Sequence, residues 1–459
     1  MNAIITISGL GALAMLAEIF RFKKLLPFLV LLGIAVALGT TVADWNTFKS
    51  YYSNMVLMDN YAIAFSGLLI GITLLWFFMA GNYFKSESTQ AEHYAIVLFA
   101  LAGGMIMVSY EDLSMFFLGL EILSISFYVL ASSNKTELRS NEAGFKYFIM
   151  GAFATGFLLF GIALIYGASG TFNIHKLGTY VTENAGQLPE IFYAGILLVL
   201  VGLTFKVSAV PFHSWAPDVY EGSPTLITAL MATMVKTAAF AAFYRLFSNC
   251  FASVSDFWTN IIWVMAAASM LTGNILAVAQ SSFKRLLAFS SIAHAGYMLL
   301  AIAAMNELSA SAILLYTAAY SVASISSFAI LYNISNQTND ESIEGLKGFA
   351  KAHPVQAFVL IITMLSMAGI PPLSGFFAKY YMFYAALQAG YVGLVLVAVL
   401  SSLIGVYYYL RIVITIFQKP AHEGSAVIFS QGQSVFLMIT GLLTILIGLM
   451  PGFFIGLLK

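Results

Sequence analysis

Long apolar stretches separated by short polar segments recur along the whole chain. A helix needs about 20 mostly apolar residues to cross a bilayer. Stretches of about this length predict fourteen transmembrane helices, at residues 2–20, 25–43, 60–80, 93–109, 113–132, 142–167, 190–210, 225–247, 258–279, 285–304, 309–335, 354–388, 391–417 and 433–457. The pattern therefore predicts an all-α, multi-pass membrane protein with a single membrane domain over residues 1–459.

The composition agrees with this class of protein. Hydrophobic residues make up 61% of the chain and charged residues 9%, whereas soluble domains carry about 25% charged residues. The formal net charge is zero, which argues against nucleic acid as a partner. The single cysteine, Cys250, excludes a disulfide framework or a cysteine-bound cluster. We therefore expect no cofactor or metal on this chain, and a function exercised within the bilayer.

Basic residues in the short loops predict the orientation of the chain. Eleven fall on one side, namely Arg21, Lys23, Lys24, Lys85, Lys135, Arg139, Lys284, Arg285, Lys347, Lys351 and Lys419; four fall on the other, namely Lys49, Lys176, Arg245 and Lys459. Loops rich in Lys and Arg stay on the cytoplasmic side. We therefore expect both termini outside, in a bacterial inner membrane, with the N-terminal apolar stretch as the first permanent span.

Prolines within two of the spans predict interrupted helices. Pro211 lies at the end of the seventh span, and Pro371 and Pro372 lie in the unusually long twelfth span. Proline lacks the backbone N–H that a helix interior needs. Transporter folds often pair such breaks in two inverted repeats. We predict five-helix repeats at residues 93–247 and 258–417, which an odd number of spans makes opposite in topology, with flanking helices at 1–80 and 433–457.

Ionisable side chains lie well inside several predicted spans. They are Glu121, Lys206, Lys236, His294 and Lys379. A charged residue at the bilayer centre costs about 3 kcal/mol on insertion scales, so such residues indicate function. Burial and neighbouring charges tune how tightly these groups hold a proton. We predict a proton relay in which Glu121 is the partner of Lys206.

Lys146 lies nearer the inner surface, where it either takes up protons for the relay or extends its amine to the interface. Less specific interpretations stay open for the other groups. The lysines could form structural ion pairs, His294 could be a hydrogen-bonded structural residue, and the protein could be a membrane scaffold. A lipid-modifying enzyme is disfavoured, because only His213, Asp218 and Glu221 lie near enough to a surface.

Five stretches around these residues resemble the antiporter-like membrane subunits of respiratory complex I, which are related to multisubunit sodium/proton antiporters. They are Glu121-Ile-Leu-Ser with Tyr128-Val-Leu, Lys146-Tyr-Phe-Ile-Met-Gly-Ala, Phe205-Lys206 through Pro211-Phe-His-Ser-Trp, Lys284 through Tyr297, and Gly369 through Lys379. The stretch from Trp215 to Thr225 is similar to the N-type members of that family. Ala378 departs from the pattern, in which glycine is expected.

The resemblance implies roles for these residues. Glu121 and Lys206 would be the coupling pair, Lys236 the central connecting lysine and Lys379 the terminal lysine toward the outer side. NADH, flavin, iron–sulfur clusters and quinone would be handled by neighbouring subunits, and the membrane partners would include further antiporter-like subunits. A sodium/proton antiporter subunit is the alternative function, and the resemblance does not separate NADH from ferredoxin as the electron donor.

Overall fold

The computed structural model describes residues 1–20, 23–81, 89–419 and 427–458; Arg21, Lys85 and Lys459, used above for the orientation, lie outside them. In the first half of the chain the helices are α1 (Asn2–Ile19), α2 (Leu26–Ala43), α3 (Asn60–Ala80), α4 (Gln90–Ser109), α5 (Leu113–Ala131), α6 (Leu138–Ser169), α7 (Ile174–Glu183), α8 (Glu190–Lys206), α9 (Trp215–Gly222) and α10 (Thr225–Leu230). In the second half they are α11 (Lys236–Cys250), α12 (Ser255–Val278), α13 (Phe283–Ala304), α14 (Ser309–Thr338), α15 (Phe349–Ala352), α16 (Pro354–Ala368), α17 (Ser374–Gln388), α18 (Val392–Thr415), α19 (Gln431–Leu449) and α20 (Pro451–Leu457).

The prediction of a multi-pass helical membrane protein is confirmed. Within the described residues, eleven helices are long and apolar enough to cross a membrane. Each of the other predicted spans contains a shorter helix or an interrupted one, at α1, α8 and α16–α17. The count of fourteen spans therefore stays a prediction.

A short hairpin corrects the expectation of an all-α chain. Strand β1 (Lys49–Tyr51) pairs antiparallel with β2 (Val56–Met58), with Ser50 opposite Leu57. The tight connection places Tyr52, Ser53 and Asn54 at positive φ. The sequence pattern missed the hairpin because strands of three residues are too short to show alternating polarity.

The chain divides into two compact units. The first unit contains Met1–Val207 and Met234–Ile261 together with Leu458, and the second contains Ser208–Thr233 and Ile262–Leu457. The chain passes from one unit to the other between Thr233 and Met234, inside the continuous helical segment Thr225–Cys250, and again within α12. These units are not the predicted repeats, whose boundaries stay a prediction.

Small residues allow close helix packing in the first unit, where α8 runs against α6. A Cβ atom on Gly161 would lie 2.7 Å from the Gly195 carbonyl oxygen, and one on Gly195 would lie 2.9 Å from the Gly161 carbonyl oxygen. Helices in membranes associate through such small residues, which let backbones approach closely. This packing fixes α8, whose last residue is Lys206.

In the second unit, α14 is buried along its length and packs against α10, α13, α16, α17 and α19. Helix α13 is also buried on nearly all sides and contacts α9, α14, α17 and α18. Serine and threonine hydroxyls on these helices donate to carbonyl groups one turn earlier, as Ser326 and Thr317 do. These two buried hydroxyls therefore have partners within their own helix.

Both predicted interruptions are present. Helix α8 ends at Lys206, residues 207–214 including Pro211 form turns, and α9 begins at Trp215. Helix α16 ends at Ala368 and α17 begins at Ser374, with Pro371 and Pro372 between them. The hydroxyl groups of Ser366 and Ser374 lie 3.1 Å apart and connect these two half-helices.

The last predicted span, 433–457, is also interrupted, which corrects its assignment as one helix. Helix α19 ends at Leu449, and α20 begins at Pro451. Pro451 has no N–H to donate and suits the first position of a new helix. The proline was visible in the sequence but lies too close to the end of the span to have been counted as a break.

Candidate functional site

The ammonium group of Lys206 lies in the first unit at the end of α8, with 2% of the residue exposed. Its Nζ donates a hydrogen bond of 2.7 Å to Ser124 Oγ on α5. The rings of Tyr128 and Tyr147 lie 5.8 and 5.6 Å from the nitrogen. Aromatic faces attract cations, so these two rings add to the support of the charge.

Glu121 lies three residues before Ser124 on α5. It acts on Lys206 through electrostatic attraction, whereas the group in direct contact with the ammonium is Ser124. Its Oε1 is buried without a hydrogen-bond partner among the described residues. The predicted pair therefore belongs to one site, in which the direct hydrogen bond of the ammonium goes to Ser124. A buried carboxylate oxygen without a donor is costly.

Lys236 lies in the first unit at the start of α11, with 1% of the residue exposed. A π-helical turn, Met231–Val235, immediately precedes it in the segment Thr225–Cys250. Single π turns inside helices occur often at functional sites, because they disturb the regular hydrogen bonding. The apolar run from Thr225 onward gave no indication of this turn.

Lys379 lies in the second unit on α17 and is 6% exposed. Its Nζ donates to the carbonyl oxygen of Ala368 and to Ser402 Oγ, each at 2.8 Å. Ala368 ends α16, so its carbonyl is one of those that the helix break leaves without an intrahelical partner. The Tyr297 ring lies 5.1 Å from the ammonium. The second break thus supplies a ligand for the lysine directly.

His294 lies in the second unit on α13 and is 4% exposed. Its Nδ1 lies 2.7 Å from the Tyr316 hydroxyl, and its Nε2 lies 3.0 Å from the Tyr409 hydroxyl. Sequence reasoning found the histidine but neither tyrosine, because α14 and α18 are remote from it along the chain.

Lys146 differs from the other lysines. Its Nζ lies 2.6 Å from Glu142 Oε1, one turn earlier on α6, and 39% of its side chain is exposed. The adjacent residue Tyr147 is fully buried and faces Lys206. Lys146 therefore lies at an accessible surface beside the buried site.

Two residues taken only as orientation signals, Lys284 and Arg285, belong to a charged cluster in the second unit. Arg285 lies 3.1 Å from Asp218 and 2.5 Å from Glu221, both on α9. Lys284 donates to the carbonyl oxygen of Ser223 at 2.7 Å and lies 3.5 Å from Glu341. These contacts fasten α9, the helix after the first break, to the start of α13.

Arg245, also counted as an orientation signal, is buried in the first unit. Both of its terminal nitrogens donate to Asp59, at 3.2 and 3.1 Å, and it lies 3.7 Å from Glu111. Glu111 lies in the loop between α4 and α5 and contacts His175 at 2.7 Å. Burial raises the pKa of Glu111, although the His175 and Arg245 charges act in the opposite direction. The sequence signal that could have found this cluster was the arginine inside an apolar segment.

The partly buried Glu121 and the buried Lys206, Lys236, His294 and Lys379 share one chemical capability, since carboxylate, amine and imidazole groups bind and release protons. Within the residues that the structure describes, three or more His, Cys, Asp or Glu side chains nowhere gather as a metal site. Each unit therefore holds buried side chains of proton-binding types.

Comparison with known proteins identifies the family of the chain. Residues 109–405 match the family model described as NADH:quinone oxidoreductase/Mrp antiporter, TM. The chain is 43% identical over 424 residues to NADH-quinone oxidoreductase subunit N of Flavobacterium psychrophilum, which covers 92% of each chain. It is 42% identical over 453 residues to subunit N of Cytophaga hutchinsonii, covering 98% of each.

Solved structures show the same relationship. A chain of respiratory complex I from Thermus thermophilus, solved with bound aureothin, superposes with a TM-score of 0.86 at 32% identity, covering 99% of this chain and 98% of that one. A chain of the Mrp complex from Dietzia sp. DQ12-45-1b gives 0.88 at 22% identity over 99% and 95%, which shows the fold alone. The resemblance predicted from the motifs is confirmed, and the chain belongs to the NADH-quinone oxidoreductase subunit N family of antiporter-like membrane proteins.

Proposed function

We propose that this chain is a proton-translocating membrane subunit of an NADH-quinone oxidoreductase. The observation that carries the proposal is the burial of Lys206, Lys236 and Lys379, each at most 6% exposed, inside helices of a membrane protein. Burying a lysine in a membrane protein is costly, so a lysine kept there indicates a function. It can act as a proton carrier when burial brings its charged and neutral forms close in energy. Family membership supplies the assembly in which such carriers operate.

The relay begins in the first unit with Glu121 and Lys206. Lys206 is stabilised as a cation partly by the Ser124 hydroxyl group and partly by the field of Glu121. Neutralising Glu121, or shifting it away, weakens the hold of Lys206 on its proton. The proton then passes to Lys236. Lys146, half-exposed and paired with Glu142, serves as the uptake group at the inner surface.

The relay continues through His294 to Lys379 in the second unit. The ammonium of Lys379 is held by a carbonyl that the helix break exposes and by Ser402. Backbone groups freed at a break can also hold water, which an intact helix cannot do. Moving one charge across a potential of 100 mV costs about 2.3 kcal/mol, and electrostatic coupling between buried groups is of sufficient size to supply it.

The proposal also covers the membrane topology of the chain, its partner subunits and the location of the cofactors. Fourteen spans place both termini outside the inner membrane, and two inverted five-helix repeats at 93–247 and 258–417 place one break in each. The partners are other membrane subunits, including further antiporter-like subunits. Flavin, iron–sulfur clusters and quinone lie on partner subunits, because this chain offers one cysteine and short loops. The relatives' names support NADH as the electron donor of the assembly.

The test is Lys206→Ala in the complete complex, measured in membrane vesicles. We expect NADH oxidation with an artificial acceptor, which reports assembled complex, to stay normal while NADH-driven proton uptake by the vesicles is lost. Lys176→Ala, at an exposed position on α7, is the matched control and leaves both unchanged. Loss of assembly together with activity would instead assign Lys206 the role of a structural ion in a scaffold.

A sodium/proton antiporter subunit is the second candidate, because the chain shares its fold with a chain of the Mrp complex. Sodium pulses across the same vesicles separate the two functions. The proposed function predicts NADH-driven proton uptake that is independent of sodium. Proton release that requires sodium and persists without NADH would support the antiporter.

A further inference from the structure

The imidazole of His294 lies between two tyrosine hydroxyls from different helices. Tyr316 on α14 contacts Nδ1 at 2.7 Å, and Tyr409 on α18 contacts Nε2 at 3.0 Å. A neutral imidazole has one donor and one acceptor nitrogen, whereas a hydroxyl group can serve either way. Both nitrogens of His294 therefore face a group that can give or receive a proton.

The Tyr409 hydroxyl has a second partner, the hydroxyl of Ser290. Ser290 precedes His294 by one turn of α13. The resulting sequence of groups is Ser290, Tyr409, His294 and Tyr316, each at most 4% exposed. Three helices of the second unit contribute to it, so the tertiary fold holds the chain of hydrogen bonds in place.

A small cavity lies at the Tyr316 end of this chain. Its volume is about 10 Å³, close to the least that a water molecule needs. Its polar lining includes His294, Tyr316, Tyr320 and Ser366. Ser366 also accepts a hydrogen bond from the Gly375 amide across the second helix break, and Ala378 of the lining is adjacent to Lys379. The hydrogen-bonded chain therefore ends where one water could connect it to the break.

We propose that Tyr316 and Tyr409 are proton-carrying residues that deliver protons to His294 and remove them. The inference deepens the proposed function and rests on it, since it assigns the route through one of the relay groups. The two tyrosines act in series, because each covers a different nitrogen of the same ring. Blocking either one blocks the route.

The proton transfer needs no ionised tyrosine, because the protons gained and lost at each group are equal. A proton supplied by water on the Ser290 side binds Ser290 as Ser290 gives its own proton to the Tyr409 oxygen. Tyr409 gives its hydroxyl proton to Nε2, and Nδ1–H passes to the Tyr316 oxygen. The Tyr316 hydroxyl proton leaves to water in the cavity. Each group gains one proton and loses one, and rotation of the hydroxyls with exchange of the imidazole tautomer restores the starting arrangement.

The competing explanation is that the two tyrosines only hold His294 in position. Two contacts on the same ring share a partner, so their losses are coupled and need not multiply even if both are only supports. Ser290 separates the two explanations, because its hydroxyl contacts Tyr409 and neither of the His294 contacts depends on it. Ser290→Ala interrupts a route of carriers in series but leaves both contacts to the ring in place.

The experiment uses the complete complex in membrane vesicles with Tyr316→Phe, Tyr409→Phe and both together. We expect each single variant to lower NADH-driven proton translocation at least about tenfold, the size of a lost proton-transfer group, and the double variant to be no lower than the singles. NADH oxidation with an artificial acceptor reports assembly. Ser290→Ala removes only the Ser290–Tyr409 bond, so we expect it to lower translocation as the single tyrosine variants do; normal translocation in Ser290→Ala would leave Tyr409 a support of His294 and overturn the proposal. Single variants with normal translocation would overturn the proposal, as would losses that multiply.

Tyr332→Phe is the matched control, since it makes the same change on α14 about four turns away from Tyr316. It keeps translocation unchanged; a loss equal to that of Tyr316→Phe would overturn the proposal. Lys206→Ala, measured alongside, separates the two levels of inference. If Lys206→Ala abolishes translocation while the tyrosine variants are normal, only the proposed tyrosine route is wrong. If Lys206→Ala also has normal translocation, the proposed relay itself is wrong.

Discussion

Two buried lysines lie at the two helix breaks, and they are held in different ways. Lys206 is the last residue of α8 and precedes its break, whereas Lys379 is on α17 and follows its break. The Lys206 ammonium contacts the Ser124 hydroxyl and is attracted by Glu121. The Lys379 ammonium contacts a backbone carbonyl and the Ser402 hydroxyl.

Under the proposed function, this difference predicts different roles for the two sites. A carboxylate can gain a proton or move, so the charge that acts on Lys206 is variable. A carbonyl at a helix end is a fixed dipole, so the support of Lys379 is constant. The first site is suited to receive a signal that changes how tightly its lysine holds a proton. The second is suited to hold a proton until the next group accepts it.

The largest effect is expected for Glu121→Gln, which removes the variable charge and keeps the side-chain shape. Two unit charges a few ångströms apart inside a protein interact by about 2–4 kcal/mol at moderate dielectric. We therefore expect NADH-driven proton translocation to fall at least about tenfold, with assembly retained. Dye quenching in membrane vesicles measures this.

Glu142→Gln is the control for that prediction, because Glu142 also pairs with a lysine but is 56% exposed. Translocation in this variant should stay within about twofold of normal, as expected for a surface ion pair. Equal losses in the two variants would show that Glu121 has no special role. The asymmetry between the two breaks would then lose its functional meaning.

The next largest difference is between Ser124→Ala and Ser402→Ala. Ser124→Ala removes the acceptor of the direct hydrogen bond that Lys206 donates. Hydrogen bonds to charged groups are worth about 1.5–3 kcal/mol. Ser402→Ala leaves the Ala368 carbonyl on Lys379. We expect roughly a tenfold fall in translocation for the first change and a clearly smaller fall for the second.

Ser126→Ala calibrates this comparison, since the Ser126 hydroxyl bonds within its own helix, to the Ile122 carbonyl at 2.7 Å. It should leave translocation normal in the same vesicle assay. A larger effect of Ser402→Ala than of Ser124→Ala would reverse the proposed ranking of the two sites.

The sequence predicted those features that depend on local chemistry. Runs of apolar residues located the helices, and Pro211, Pro371 and Pro372 located the interruptions because proline cannot complete the backbone hydrogen bonding. Lys206, Lys236 and Lys379 were found because a charge is conspicuous in an apolar run, and the structure buries all three. Arg245 was also within reach of that argument, but its position near a span end made it look like an orientation signal.

The remaining contacts depend on which helices meet. Ser124 lies 82 residues from Lys206, and Tyr409 lies 115 residues from His294. Serine and tyrosine are common in membrane helices, where a serine hydroxyl usually bonds within its own helix. Their types therefore gave no reason to choose these particular residues. The π turn before Lys236 was equally invisible, because it is set by tertiary packing within an ordinary apolar sequence.

A backbone change tests the fixed support at the second break. Gly369 has φ +90°, and a Cβ there would lie 3.0 Å from Lys379 Cδ. Gly369→Ala therefore strains the backbone and displaces the lysine. We expect about 1 kcal/mol of destabilisation and a severalfold fall in translocation, measured by thermal unfolding of the purified complex and by vesicle quenching.

Gly390→Ala provides the matched control, because Gly390 has φ +83° and a Cβ there would meet no atom of the described residues within 4 Å. Gly390→Ala should destabilise the complex about as much as Gly369→Ala does, but proton translocation should be normal. If both variants lose translocation equally, backbone strain alone is the cause and contact with Lys379 is irrelevant.

The smallest effect is expected for Lys146→Gln, at the surface beside the first site. Its ion pair with Glu142 is partly exposed, and exposed pairs are worth about 0.2–1 kcal/mol. Translocation should therefore slow by less than about fivefold. Lys135→Gln, at an exposed position just before α6, should show no change. A loss as large as that of Glu121→Gln would make Lys146 an obligatory carrier, whereas a rate equal to that of Lys135→Gln would leave it an interfacial anchor.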